Sequence, residues 1–383
     1  MTFEFATANR ILFGPGVSAE IPALARTMGN SVLILTDSKK RAESLINGLS
    51  KINISSFIFK VEVEPDINLV IMAMRMYKEY NCNFVIALGG GSSIDTGKAL
   101  SSLVANPGNP LDYLEIVGSG RIFEKPSVPF IAVPTTAGSG SEVTRNAVIA
   151  IPEQHIKVSL RSPFLLPKVA VIDPELTYSM PPALTASTGL DALTQLIEPF
   201  ICNSPTPLTD LVCRSGIVLA SNSLLQAYHN GTDKKAREEM SLVSLYGGMA
   251  LANARLGAVH GLASCLGGMY PMSHGLICAR LLPLVMETNL RSLRSQQPES
   301  PILKRFNEIA QLLTGIPASS AEDAIVFLFD LQEKLAIPKL RESGLEPKDF
   351  SYLVAQAQQS SSMRGNPIKL TDEDLITILE RAI

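Results

Sequence analysis

The sequence lacks the features that mark membrane, nucleic-acid-binding and disulfide-stabilised proteins. No uninterrupted apolar stretch reaches the roughly 18 residues that a bilayer span needs, and the most apolar run, residues 276–286, contains Arg280 and Pro283. Lysine and arginine total 33 against 36 acidic residues, which gives a net charge of −3. That balance disfavours nucleic acid or an anionic membrane surface as a partner. We therefore expect small-molecule partners.

Cysteine is also scarce, and no C-x-x-C pair occurs among the five residues. An odd number without paired spacing is typical of a reducing compartment. The N-terminus has neither the basic start nor the apolar block of a secretory signal. We predict a cytoplasmic protein whose cysteines are buried packing residues. They are Cys82, Cys202, Cys213, Cys265 and Cys278.

The hydrophobic pattern divides the 383 residues into two halves, as expected at about 150 residues per domain. The first half alternates β-branched runs with helical spacing, which predicts a parallel α/β sheet. Its predicted strands are residues 32–36, 57–61, 84–88, 130–133 and 169–172, with helices at 38–49 and 69–80. The second half is predicted to be all helical, with helices at 183–202, 208–228, 235–266, 321–335 and 371–383. The predicted domains are 1–176 and 177–383.

A glycine-rich turn follows the third predicted strand. Gly89, Gly90 and Gly91 precede Ser92 and a helical pattern. Glycines let the backbone approach a phosphate, and a helix N-terminus offers free N–H groups to hold it. Ile94 departs from the usual dinucleotide fingerprint, so an ordinary tight turn remains an alternative.

Two further segments bear on nucleotide binding. Gly14–Ala19 fits G-x-G-x-x-A, but Pro15 stiffens it, and we interpret it as a turn. Asp37 follows a predicted strand, where a carboxylate can bind the adenine-ribose hydroxyls and repel a 2′-phosphate. Asp37 therefore favours NAD, although the basic residues at 39–41 weaken this inference and a helix N-cap is the alternative.

A second polar loop, residues 134–144, follows the fourth predicted strand and is rich in small and hydroxyl residues. The carboxyl ends of parallel strands are where α/β sheets bind ligands. Together with the Gly89–Gly91 turn, the G-L-D-A-L segment 189–193 and the pair His260 and His274, this loop resembles the iron-dependent (group III) alcohol dehydrogenase family. The resemblance runs in order over nearly the whole chain.

The resemblance implies a dehydroquinate synthase-like, iron-containing alcohol dehydrogenase fold with NAD(P) between an α/β dinucleotide-binding domain and a helical domain. It implies a divalent metal on the helical side and suggests a homodimer. The implied activity is reversible hydride transfer between an alcohol and its aldehyde or ketone. The cofactor-binding residues carried over are Asp37, Gly90, Gly91, Ser92, Asp95, Thr135, Thr136, Ser139 and Lys157.

The implied metal ligands are Asp191, His260 and His274, with Gln195 at the position where the family has a histidine. Residues four apart share a helix face, so Gln195 points towards the site. An amide oxygen is a harder and weaker donor than imidazole, which shifts the expected preference from iron or zinc towards manganese or magnesium. Weak or absent metal binding is a further expectation.

A second departure is Ser264, where many members have a histidine that serves as a proton relay. A hydroxyl passes a proton through water but does not hold one near neutral pH. The implied catalytic residues are Asp191, His260, His274 and Ser264. The remaining histidines, His155 and His229, are interpreted as structural residues of a helical core.

Arg255, predicted to lie on the helix of His260, raises the hypothesis of an anionic group on the substrate. Two alternative functions remain open. One is a metal-free reductase of an activated anionic carbonyl, similar to the maleylacetate reductases, which Gln195, Ser264 and Arg255 favour. The other is a protein that binds a dinucleotide without catalysis, which the altered ligand set permits.

Overall fold

The chain forms two compact units in the computed structural model, which describes all residues except Met1, Ile116 and His155. The α/β unit comprises Ala6–Thr136 and Gly140–Thr177. The helical unit comprises Tyr178–Ile383 with two short segments, residues 2–5 and Ala137–Ser139. The predicted fold class, a parallel α/β half followed by a helical half, is confirmed.

The α/β unit is built on a parallel sheet of six strands. Helices on both faces bury the four inner strands, which explains their continuous apolar runs. The strands of this sheet are β1 (Ile11–Phe13), β2 (Ser31–Thr36), β3 (Ser55–Lys60), β4 (Phe84–Gly89), β5 (Phe130–Pro134) and β8 (Val169–Ile172). They lie side by side in the order β1-β8-β5-β4-β2-β3. The helices of the unit are α1 (Ile21–Ala25), α2 (Lys39–Ser50), α3 (Ile67–Glu79) and α4 (Gly91–Ala105).

Three strands were not predicted from the sequence. Strand β1 is only three residues long, too short for a periodic signal. Strands β6 (Asn146–Ile151) and β7 (Ile156–Arg161) pair with each other as a separate antiparallel ribbon. Residues 147–151 of β6 form an apolar run whose burial alternates between the two faces, and along β7 apolar residues alternate with polar ones. Both patterns indicate strands, and the sequence analysis overlooks them.

Helix α4 lies directly against the sheet because Gly97 has no side chain. A Cβ atom at this position would lie 2.6 Å from Cε2 of Phe130 on β5 and 3.2 Å from Cβ of Ala87 on β4. This close packing fixes the first turn of α4 against the ends of β4 and β5.

The helical unit contains nine α-helices among its described residues. They are α5 (Pro182–Ile201), α6 (Pro207–His229), α7 (Lys234–Asn253), α8 (Ala258–Met269), α9 (His274–Gln296), α10 (Ile302–Thr314), α11 (Ala321–Lys334), α12 (Phe350–Gln359) and α13 (Asp372–Ala382). Their apolar faces share one buried core. Within the described chain, no helix combines the length and the apolar character needed to cross a bilayer.

The single helix predicted over residues 235–266 is wrong. The structure has two helices there, α7 and α8, separated by residues 254–257. The sequence pattern runs through the break because both helices bury an apolar face in the same core. Two side chains that are distant in sequence, those of Glu198 and Asn366, accept hydrogen bonds from the backbone at the start of α8 and stabilise this break.

We expect Gly97→Ala to lower the free energy of unfolding by about 1–3 kcal/mol, since the added methyl group must displace the Phe130 ring or move α4 off the sheet. Urea denaturation followed by circular dichroism measures the change. Ser44→Ala on the exposed face of α2 is the matched control and should have little effect. Equal midpoints for the two variants would contradict the packing described for α4.

Candidate active site

Helix α5 buries one amide and two carboxyl side chains in the interior of the helical unit. Asp191, Gln195 and Glu198 are each less than 5% exposed. Their spacing of four and three residues places them on one face of the helix. A buried charge is costly unless it is paired, so this face is where the helical unit should carry a function.

The start of α8, after the non-helical residues 254–257, is stabilised by the side chain of Glu198. Oε1 of Glu198 accepts a hydrogen bond of 2.7 Å from the backbone N–H of Val259, and Asn366 accepts one from Ala258. The first N–H groups of a helix have no partner within the helix, and a carboxylate there is favourable. Gly257 is required because a Cβ would lie 2.8 Å from Oε1 of Glu198.

The second oxygen of Glu198 orients His260, the third residue of α8. Its Oε2 lies 2.7 Å from Nδ1 of His260. An ionised carboxylate only accepts hydrogen bonds, so Nδ1 carries the proton and donates it to Glu198. The Nε2 atom of His260 is therefore the ring nitrogen free to bind another group.

His260, Asp191 and His274, the first residue of α9, converge. Oδ1 of Asp191 lies 3.6 Å from Nε2 of His260 and 3.7 Å from Nε2 of His274. Cys278, one turn further along α9, places its Sγ atom 3.6 Å from Nε2 of His274. One ligand atom from each of these four residues lies within 4.8 Å of the other three.

The electrostatics of the cluster suit a cation. Burial alone would raise the pKa of Asp191, but the nearby charges of His274 and His260 hold that pKa below its usual value. Burial opposes the charging of His260, yet Cys278, Asp191 and Glu198 raise its pKa well above the usual value. Burial raises the pKa of Cys278 to about 12. The surroundings thus favour positive charge at this point.

Two atoms of the cluster that lack hydrogen-bond partners also suit the binding of a metal ion. Oδ1 of Asp191 and Nε2 of His260 are buried and have no hydrogen-bond partner among the described residues. Buried polar atoms are normally satisfied, so two orphaned atoms facing one point indicate that the site is built for a further group. A carboxylate oxygen and imidazole nitrogens are suitable ligands for a divalent metal.

The other two residues predicted for this site lie beside the cluster. Nε2 of Gln195 is 3.4 Å from Oδ2 of Asp191, while its Oε1 is buried without a partner. Ser264 lies one turn beyond His260 on α8 and donates to the carbonyl of Gly261 at 3.1 Å. Three of the four residues predicted as metal ligands thus belong to the cluster, and the fourth, Gln195, contacts one of them.

The sequence analysis predicts that Arg255 lies on the helix of His260, and this prediction is wrong. Arg255 is exposed in the segment between α7 and α8, because the helix breaks there. The structural interpretation of His229 is also wrong, since this residue ends α6 with an exposed side chain. His155 lies outside the described residues.

In the α/β unit, most of the predicted cofactor-binding residues follow three adjacent strands. Asp37 follows β2, Gly90 and Gly91 follow β4, and Thr135 and Thr136 follow β5. Because β2, β4 and β5 are neighbours and parallel, these residues share one edge of the sheet. Gly90 is the N-cap of α4, and Gly91 and Ser92 form its first turn.

The Asp37 side chain is held by an ion pair with Arg41, whose Nη1 lies 2.6 Å from Oδ1. The same nitrogen is 3.4 Å from Oγ1 of Thr135. The N-cap of α2 is Ser38, which accepts from the N–H of Arg41. Asp37 is thus not the helix cap that the sequence left as an alternative.

Three predicted cofactor residues have other surroundings. Asp95 accepts hydrogen bonds from Ser141 and from the backbone of Val148, which ties α4 to the following loop and to β6. Lys157 on β7 forms an ion pair with Glu64. Ser139 belongs to the short segment that groups with the helical unit.

The Gly14–Ala19 segment forms a turn, as predicted. The N–H groups of Gly16 and Ser18 donate to the Asp173 carboxylate at 3.0 and 3.1 Å. Ser18 Oγ donates to the same carboxylate. An internal anion thus satisfies the donors that a phosphate would use.

Glu198 and Cys278 were missed as site residues from the sequence. A signal was present for both: Glu198 is an acidic residue within an apolar helix, seven positions after Asp191, and Cys278 follows His274 by one helical turn. The sequence analysis predicts a packing role for all five cysteines. The described side chains include no disulfide.

Comparison with known proteins agrees with this geometry. The family model described as iron-containing alcohol dehydrogenase matches residues 8–174, and that of the C-terminal part of the Fe-containing alcohol dehydrogenase family matches residues 185–383. Alcohol dehydrogenase 4 of Saccharomyces cerevisiae is 38% identical over 84% of this chain and 82% of its own length.

Two further relatives match almost end to end. The NAD-dependent methanol dehydrogenase of Bacillus methanolicus is 32% identical over 97% of each chain. The crystal structure of a 1,3-propanediol oxidoreductase superposes with a TM-score of 0.92 at 32% identity, covering 100% of both chains. The resemblance predicted from the motifs is therefore confirmed, and this chain belongs to the iron-containing alcohol dehydrogenase family.

Proposed function

We propose that this enzyme catalyses reversible NAD-dependent hydride transfer between an alcohol and its aldehyde or ketone, assisted by a divalent metal held by Asp191, His260 and His274. The observation that carries the proposal is the convergence of Oδ1 of Asp191 and Nε2 of His260, two buried atoms without partners, in a member of this family. The relatives' names support the alcohol substrate and NAD.

When bound, the metal supplies a Lewis acid that polarises the substrate oxygen, and NAD supplies the hydride acceptor. The residues of the chain have simpler tasks. Asp191 contributes the negative charge of the site, and His260 and His274 contribute neutral nitrogens. Glu198 keeps Nδ1 of His260 protonated and Nε2 directed at Asp191. Ser264 passes a proton through water and does not store it.

We assign NAD to the α/β unit and the metal to the helical unit, as the domains 1–176 and 177–383 predict. The unpaired N–H groups at the start of α4 suit the pyrophosphate, with Gly90, Gly91 and Ser92 closest to it. The hydroxyls of Thr135, Thr136 and Ser139 bind phosphate and nicotinamide. Lys157 contacts the nicotinamide ribose, and Asp95 shapes the loop around them.

Asp37 selects NAD over NADP in this proposal. Its carboxylate follows β2, beside the strand that leads into the glycine turn. A carboxylate binds the ribose hydroxyls and repels a 2′-phosphate. Arg41 neutralises part of that charge at 2.6 Å, so we expect a preference for NAD rather than complete exclusion of NADP.

We further propose a cytoplasmic homodimer. The five cysteines are free thiols, which is typical of a reducing compartment. Strand β1 lies at one edge of the sheet, and no described strand pairs with its outer side. An open edge of this kind is suited to pairing with another copy.

Asp191→Asn should lower kcat/KM for alcohol oxidation at least about 1000-fold, since it removes the anionic metal ligand and several kcal/mol of transition-state stabilisation. The assay follows NADH formation with a panel of primary alcohols. Chelation of the wild-type enzyme should give the same loss, and added metal should reverse it. Asp330→Asn on an exposed face of α11 is the control.

Full activity after exhaustive metal removal would contradict the metal-assisted mechanism. It would favour the metal-free reductase, in which the histidines stabilise the substrate oxygen by hydrogen bonds. An anionic carbonyl reduced far faster than simple aldehydes would favour it further.

Glu198→Gln should weaken binding of the divalent metal about 10- to 100-fold, because the amide no longer enforces the proton on Nδ1 of His260. Titration calorimetry on metal-free protein measures the affinity. Glu299→Gln, an exposed site, should leave it unchanged. Equal affinities for Glu198→Gln and wild type would remove Glu198 from this role.

Asp37→Gly should raise kcat/KM with NADP relative to NAD about tenfold or more, since it removes the repulsion of the 2′-phosphate and leaves Arg41 free to attract it. Steady-state kinetics with both coenzymes give the ratio. Glu43→Ala, exposed on α2, controls for the change in surface charge. An unchanged ratio would mean that selection is made elsewhere.

A further inference from the structure

Cys278 lies in the metal cluster although neither the sequence pattern nor the proposed function assigns it there. It follows His274 by four residues on α9, so the two side chains share a helix face. Its Sγ atom lies 3.6 Å from Nε2 of His274, and it is fully buried. Its position in the cluster is thus determined by the same helix that places His274.

The spacing of the four donor atoms suits a single ion. Ligands at about 2.0–2.3 Å from a tetrahedral metal lie about 3.3–3.7 Å from one another. The distances from Oδ1 of Asp191 to the two Nε2 atoms, 3.6 and 3.7 Å, and the 3.6 Å between His274 and Cys278 agree with that spacing. The buried and unpartnered atoms of Asp191 and His260 independently indicate that this point binds a further group.

Gln195 is placed for a different task. Its Nε2 faces Oδ2 of Asp191 at 3.4 Å, the oxygen that is not directed at the histidines. Its Oε1 lies towards α7, where a Cβ atom on Gly247 would be 3.5 Å away. In this arrangement Gln195 donates to the carboxylate and leaves Oδ1 available to the ion.

We propose that Cys278, and not Gln195, is the fourth protein ligand of the metal, giving a site made of Asp191, His260, His274 and the Cys278 thiolate. This inference rests on the proposed function, because it concerns the same metal. A thiolate is a soft donor that favours zinc, iron or cobalt over manganese and magnesium. The preference expected from Gln195 alone is thereby reversed.

The proposal has a direct spectroscopic test. Metal-free enzyme is loaded with Co²⁺, and its near-ultraviolet absorption is recorded. A Co²⁺–thiolate bond gives an intense charge-transfer band that nitrogen and oxygen ligands do not give. We expect the band in the wild type and in Gln195→Ala, and its loss in Cys278→Ser. Cys213→Ser, equally buried in the helical core, is the matched control and should keep the band.

Affinity provides a second readout. Cys278→Ser should bind Zn²⁺ at least about 100-fold more weakly, since even outer partners of metal ligands are worth 10- to 100-fold. Its affinity for Mn²⁺ should change much less. Thermal unfolding of the metal-free variants shows whether each has folded, and the wild-type spectrum decides the question if Cys278→Ser does not fold.

The outcomes separate this proposal from the proposed function. Stoichiometric Co²⁺ in the wild type without the charge-transfer band, and with Co²⁺ lost in Asp191→Asn, would overturn the role of Cys278 and leave the metal site standing. Loss of Co²⁺ affinity in Gln195→Ala but not in Cys278→Ser would also overturn it. Absence of Co²⁺ binding in the wild type would overturn both proposals.

Discussion

The carboxylate of Glu198 is the constraint on which the candidate metal site depends. Its two oxygens act at once on backbone and side chain: one accepts from the N–H of Val259, and the other holds Nδ1 of His260. Burial of a charge costs several kcal/mol unless hydrogen bonds compensate. Here that compensation also starts α8 and fixes the ring of His260, so the fold of the helical unit and the chemistry of the site have a common cause.

In the α/β unit, the candidate nucleotide-binding residues are brought together by the topology of the sheet. Parallel strands all end at one edge, so the topology of the sheet alone brings together the residues that follow β2, β4 and β5. Gly97 lets α4 pack tightly on the sheet, which fixes the helix N-terminus beside that edge. Backbone groups contribute most of the expected binding surface here, whereas buried side chains provide it in the helical unit.

Much of the fold could be predicted because its signals are local. Continuous β-branched runs gave the strands β2, β4, β5 and β8, and apolar spacing gave helices such as α5 and α6. The strands β6 and β7 were missed although both carry a strand signal, since residues 147–151 are all apolar and β7 alternates apolar and polar residues. The break between α7 and α8 was missed because Glu198 and Asn366, far away in sequence, replace the helical hydrogen bonds there.

The candidate site shows the same difference between features with a local sequence signal and features that depend on contacts between distant residues. Asp191, Gln195, His260 and His274 were found through the family resemblance, and the structure brings them together. Cys278 was assigned to packing because a lone buried cysteine is usually a core residue; only the packing of α9 near α5 and α8 reveals its neighbours. Lys157 and Asp95 have partners, Glu64 and Ser141, that no local pattern predicts.

The central claim is that the helical unit holds a catalytic divalent metal on Asp191, His260 and His274. Anomalous diffraction at the metal's absorption edge, from crystals of active enzyme purified without chelator, tests it most directly. We expect a single strong peak within bonding distance of Oδ1 of Asp191 and Nε2 of both histidines. No peak at this cluster in fully active enzyme, or a peak bound only by other residues, would contradict it.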